Sequence, residues 1–193
     1  MIVMGKPPRR RLSPEARRLE IVEAAERLLQ AHGADVRVED VVRAAGIAKG
    51  TFFLYFPTWD DLLETVRGRL VSEFDVTHPL PTEVESPVDW PGLVDAQAIA
   101  FIDFTLSRRG FGEAIFHSDF AERRPLADNG IARIAAIIRA GQEAKSFGPV
   151  DPDATARLLF AATHETADTI AAGAGREAAI AALLNLLRRT LAP

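Results

Sequence analysis

Along the chain, apolar residues recur at spacings of three and four almost everywhere, and no bounded run alternates apolar with polar positions. This pattern predicts an all-α protein. A first helix begins at Ser13-Pro14-Glu15, where a serine cap, a proline at the first helical position and an acid in the first turn coincide. Its inward stripe is Ile21, Ala24, Ala25, Leu28 and Leu29, and Gly33 ends it. A second, short helix spans roughly Arg37 to Ala45, with Val38, Val41 and Val42 inward, Asp35 as candidate cap and Gly46 as its stop. A third, about Ala48 to Tyr55, follows after one or two residues; short helices joined by a glycine turn form the helix-turn-helix pattern. Asp60 is the expected cap of a fourth helix carrying Leu62, Leu63, Val66, Leu70 and Phe74.

The composition then shifts. Thr77 to Pro91 holds prolines at 79, 81, 87 and 91 and reads as an irregular linker. Beyond it, helices are expected at about Gly92–Ser107, Phe111–Phe116, Leu126–Ser146, Pro152–Ala172 and Arg176–Leu191, about nine in all. Asp151-Pro152-Asp153 marks a helix start, and Gly173 or Gly175 a break. The natural division is 1–57 as an N-terminal arm and helix-turn-helix domain, with 58–193 as a C-terminal helical bundle. The last two helices are alanine-rich and apolar over wide arcs, more than one chain's core needs. They predict an interface between two copies of the chain through Leu158, Leu159, Ala162, Thr166, Ile180, Leu183, Leu184 and Leu187.

Charge sharpens the picture. The net charge of −4 divides into +3 over residues 1–59, with 10 Lys or Arg against 7 Asp or Glu, and −7 over residues 60–193, with 13 against 20. At the N-terminal end Lys6, Arg9, Arg10, Arg11, Arg17 and Arg18 face only Glu15, so a polyanion would meet that end first. The chain has no cysteine, which excludes thiolate chemistry and cysteine-ligated metal and fits a reducing, cytoplasmic compartment. No apolar run approaches a membrane span and no segment reads as a signal peptide.

The densest chemistry lies in Phe52-Phe53-Leu54-Tyr55-Phe56. On a helical wheel with Phe52 inward, Phe56 lies about 40° away, while Gly50 and Leu54 point nearly opposite. Thr51 and Phe53 flank that outer face and Lys49 and Tyr55 sit at its edges. Two rings are therefore core, and the other face is free to touch something.

Ala24-Ala25, Leu28, Gly33, Ala45-Gly46, Ile47, Lys49-Gly50-Thr51, Phe53, Phe56, Asp61 and Leu62 together resemble the DNA-binding segment of the tetracycline-repressor family of bacterial transcription regulators. The match covers about Arg18 to Val66, and its order and spacing are far more specific than a lone helix-turn-helix. Ala48 replaces a usual serine or threonine cap, Val36 a common threonine, Phe53 a common tyrosine, Tyr55 a common histidine and Trp59 a frequent lysine. The resemblance implies a homodimer that binds a palindromic operator in double-stranded DNA. It more often implies a repressor than an activator, released by a small effector bound in the C-terminal domain. Gly50 would let the backbone approach DNA, Thr51, Phe53 and Leu54 would meet base edges or the groove, and Lys49 and Tyr55 would contact phosphates. Arg9, Arg10 and Arg11 would follow the backbone or enter the minor groove, and affinity would fall steeply with salt.

An effector pocket is expected among the middle helices, walled by Trp90, Phe101, Phe104, Phe111, Phe116, His117 and Phe120, and so suited to an apolar molecule. The rival reading is a helical ligand-binding or carrier protein that no longer reads DNA. An enzyme reading would rest on His164, Glu165 and Asp168, of which His164 and Asp168 are spaced to share a metal, but a polar edge on an interface helix is the more ordinary assignment. Gly173-Ala174-Gly175 lacks the third glycine and preceding strand of a dinucleotide site. No Ser-His-Asp, phosphate-loop or paired-carboxylate pattern stands out, so neither catalysis, metal nor cofactor is expected.

Overall fold

The computed structural model describes residues 12–80, 88–116 and 129–193. Arg9, Arg10, Arg11, His117 and Phe120 lie outside the described residues, as does the side chain of Phe116. Among the described residues there are nine α-helices and no strands: α1 (Pro14–His32), α2 (Val38–Ala44), α3 (Lys49–Tyr55), α4 (Trp59–Thr77), α5 (Trp90–Ser107), α6 (Arg109–Phe116), α7 (Asn129–Glu143), α8 (Pro152–Ala171) and α9 (Arg176–Leu191). A single 3-10 turn, Gly33–Asp35, joins α1 to α2. No described helix is long and apolar enough to cross a membrane.

Local chemistry sets the boundaries. Ser13 caps α1 by accepting the Ala16 N–H at 3.2 Å. Asp35 does not cap α2; it closes the 3-10 turn, and Asp40 reaches back to accept the Arg37 N–H at 3.1 Å. Asp60 likewise is not the cap of α4. Thr58 is, accepting the Asp61 N–H at 3.1 Å while Asp61 accepts the Thr58 N–H at 3.0 Å, a reciprocal pair that satisfies two donors left open at the helix start. The helix α5 begins at Trp90, two residues before the expected Gly92, because Asp89 accepts the Gly92 N–H at 3.0 Å and Pro91 fits the first turn. The helix α7 stops at Glu143, short of Ser146. There Lys145 takes φ 59°, and Phe147 folds back so closely over Gly141 that a Cβ would stand 2.1 Å from the ring.

Two hydrophobic cores result. The first joins Ile21, Leu29, Val41, Phe52, Phe56, Leu62 and Val66 of α1–α4 with Phe111, Ala114 and Ile115 of α6. The second joins α5, α7, α8 and α9 through Ile102, Ile138, Ala156, Leu159, Ile180, Leu183 and Leu187. The wide apolar arcs of the last two helices are thus partly used within one chain. Leu159, Ile180, Leu183 and Leu187, expected at an interface, are buried in this second core, whereas Leu158 is 71% exposed. Ala162, Thr166 and Leu184 are half-buried between the two situations.

The N-terminal half of α4 lies in the first core and its C-terminal end, from Leu70 to Asp75, borders a cavity. Thr58→Ala is expected to cost about 1 kcal/mol of stability, read as a lower urea midpoint with an unchanged slope.

Candidate nucleic-acid interface and internal cavity

The helix α3 is held by its two inward rings. Phe52 and Phe56 are both buried, with ring centroids 5.8 Å apart, and Phe53 meets Phe52 edge to face at 5.2 Å. Arg18 adds a cation over the outer surface of Phe56, 4.8 Å from its centroid, and donates to Thr65 Oγ1 at 2.9 Å. This basic residue of the N-terminal cluster is thus engaged within the domain, as is Arg17, which pairs with Glu20. The turn before α3 is made by Gly46 at φ 64°, with the Ile47 N–H donating to the Val42 carbonyl at 3.0 Å. Ala48 supplies no side-chain cap, and its carbonyl accepts from Thr51 and Phe52.

The opposite face is bare. Among the described residues, nothing outside the helix's own backbone lies within 4 Å of where a Cβ on Gly50 would stand, and Leu54 is 83% exposed. Phe53 is exposed beside it, Thr51 is half-buried, and Tyr55 leans onto the first core. Lys49, expected to face phosphates, is engaged from below: its Nζ lies 2.5 Å from Glu39 Oε1 on α2. The hydrogen bond from Lys49, then Glu39's own backbone and the Lys49 charge, hold the Glu39 carboxyl below its ordinary value. A phosphate approaching Lys49 therefore shares the ammonium with a carboxylate.

The cavity, of about 120 Å³, lies between α4, α5, α6, α7, α8 and α9. Phe101, Phe104 and Phe111 line it as expected from sequence, but Trp90 does not; it packs against the second core. Sequence reasoning missed Phe74, Gln97, Arg133 and Phe160, which complete the wall. His164, read as a polar helix edge, instead faces inward, with its ring 4.7 Å from Phe101 and 4.4 Å from Phe160. Arg133 is the principal polar feature. It donates to Asp75 at 3.0 Å, to Gln97 at 3.0 Å and to the His78 carbonyl, and burial pushes its pKa below the ordinary arginine value against the opposing pull of Asp75.

A short helix with one face locked in a core and the other open, set on a helical body with an internal cavity, defines a helix-turn-helix protein with a second, cavity-bearing helical unit. Residues 21–66 match the family model for bacterial regulatory proteins of the tetR family, and residues 112–193 match that for the tetracyclin repressor-like C-terminal domain. The chain belongs to the TetR family of bacterial transcription regulators. Over 80 residues it is 39% identical to the HTH-type transcriptional regulator EthR of Mycobacterium tuberculosis, a stretch that covers 41% of this chain and 36% of that protein. Among solved structures, Salmonella enterica GusR superposes with a TM-score of 0.72 at 21% identity, covering 93% of this chain and 97% of that one. RolR in complex with resorcinol superposes with a TM-score of 0.70 at 21% identity, covering 89% and 87%.

The Glu39–Lys49 pair contributes above the ordinary carboxylate range and is lost as pH falls through the lowered Glu39 value. In Lys49→Met the Glu39 carboxyl is expected to titrate higher than in wild type when followed by NMR.

Proposed function

We propose that the chain acts as a homodimeric, sequence-specific DNA-binding regulator, a repressor that leaves a palindromic operator when a small, largely apolar effector enters the cavity. The observation that carries this reading is the outer face of α3. An exposed leucine beside an unobstructed glycine and an exposed phenylalanine has no packing role among the described residues, and these residue types suit close backbone approach and contact with thymine methyl groups in a major groove. Thr51 adds a hydroxyl, and Lys49 and Tyr55 flank it as phosphate partners, with Arg9, Arg10 and Arg11 as a basic arm.

Residues 1–57 form the reading head in this proposal and residues 58–193 the regulatory body. Two copies would meet through the outward faces of α8 and α9. Those faces carry Leu158, Ala161 and Glu165 on one helix and Ala178, Ala182 and Leu186 on the other, with Ala162, Thr166 and Leu184 at the margin. A two-fold contact of this kind places two α3 helices on half-sites about one DNA turn, 34–36 Å, apart. RolR, of the same fold, takes resorcinol as its ligand, which supports an aromatic effector of modest size.

The test is selection of genomic fragments by the purified protein, followed by binding to any enriched palindrome across a salt series. Wild type is expected to select a specific site, and Leu54→Ala to bind it about tenfold or more weakly with unchanged thermal unfolding, because the side chain stabilises nothing within the chain. Absence of any enriched sequence would exclude the DNA-reading assignment.

A further inference from the structure

The chemistry of Arg133 narrows what the cavity can hold. Its side chain is only 14% exposed, and its guanidinium lies 5.5 Å from the centroid of the Phe74 ring. The Nη groups are occupied by Asp75, Gln97 and the His78 carbonyl, but the buried Nε–H has no acceptor among the described residues. The rest of the wall is largely apolar, with Phe74, Phe101, Phe104, Ile134 and Phe160, and it also carries Thr105, Thr163 and His164.

Asp75 is a displaceable partner. It is 48% exposed, so turning it into water costs little, and a ligand carboxylate taking its place leaves the number of charges beside Arg133 unchanged. Arg108, the other cavity arginine, is less suited, since it is paired with Glu73 and stacked 4.3 Å from the Phe104 centroid. A volume near 120 Å³ matches a single six-membered ring, as apolar cavities of about 150 Å³ hold benzene. We propose that the cavity binds a small aromatic carboxylate, its ring among the phenylalanines and its carboxylate on Arg133 in place of Asp75.

The exchange has a mechanical consequence. Asp75 sits in the last turn of α4 and His78 is its C-terminal cap residue, so Arg133 fastens the end of α4 to α7 with a cation set where helix carbonyls concentrate negative potential. A carboxylate drawing Arg133 away loosens that end. The same helix packs its other end into the core that holds α3. An effector would then act through its charge as well as its bulk, because only an anion competes with Asp75.

This inference rests on the cavity being the effector site, and the experiment separates the two. Calorimetric titrations of the full chain at pH 7 with benzoate, benzamide and toluene compare an anion, a neutral acceptor and a bare ring of similar size. Wild type is expected to bind benzoate at least tenfold more tightly than benzamide. Arg133→Met should abolish that preference while keeping toluene, and Asp75→Asn, which removes the competing carboxylate at an exposed position, should tighten benzoate severalfold. Toluene or benzamide binding as well as benzoate in wild type, or benzoate unmoved or weakened by Asp75→Asn, would overturn the carboxylate assignment and leave the cavity as an effector site. Binding of none of the three would overturn both.

Discussion

The first of two connections between the ends of this molecule is a close backbone contact between α6 and α1. A Cβ on Gly110 would stand 2.4 Å from the Gln30 carbonyl oxygen and 2.5 Å from that of Leu29, so α6 reaches the end of α1 only because residue 110 has no side chain. That approach lets Phe111, Ala114 and Ile115 enter the same core as Phe52 and Phe56. Phe111 and Gly112 also line the cavity. Interiors packed at crystal-like density respond to a new occupant by shifting whole elements, so a molecule entering the cavity would press on the same packed unit that holds α3.

The second connection is α4. Its start is fixed by the reciprocal Thr58 and Asp61 bonds and by Leu62, Leu63 and Val66 in the first core, and its end by Arg133. The helix is therefore anchored hydrophobically at its start, and at its end by Phe74 against Phe101 and Phe104 together with the exchangeable Arg133 contacts. The two anchors differ in what can undo them. Burying the leucines cannot be reversed without unfolding the head, whereas an ion pair with one half-exposed partner exchanges readily. On α3 the division is between faces: its rings lock one side while Lys49, already satisfied by Glu39, remains exchangeable on the rim of the other.

Much of this was legible in the sequence because helical periodicity is a local signal. The wheel of α3 correctly separated Phe52 and Phe56 from Leu54, since a fixed rotation per residue decides which side chains share a side. The cap of α4 was misassigned to Asp60, although Thr58 with Asp61 three residues later is itself a recognisable start pattern. The last two helices defeated the same reasoning for a different cause. With apolar residues around most of the circumference, periodicity does not say which arc meets the chain's own core, and neighbours Leu158 and Leu159 ended on opposite sides. The polar corner of the cavity had no local signal at all. Asp75, Gln97 and Arg133 come from three helices, and only tertiary packing brings them together.

The cavity and α3 share a unit closed by the α6–α1 contact. This sharing is tested most directly by the operator affinity of Gly110→Ala in the absence of effector. The added methyl group must lift α6 from the Leu29 and Gln30 carbonyls, and the account predicts a loss of about tenfold or more while the helical content and the exposed α3 surface are retained. A folded variant that binds the operator as tightly as wild type would show that the head reads DNA independently of that contact.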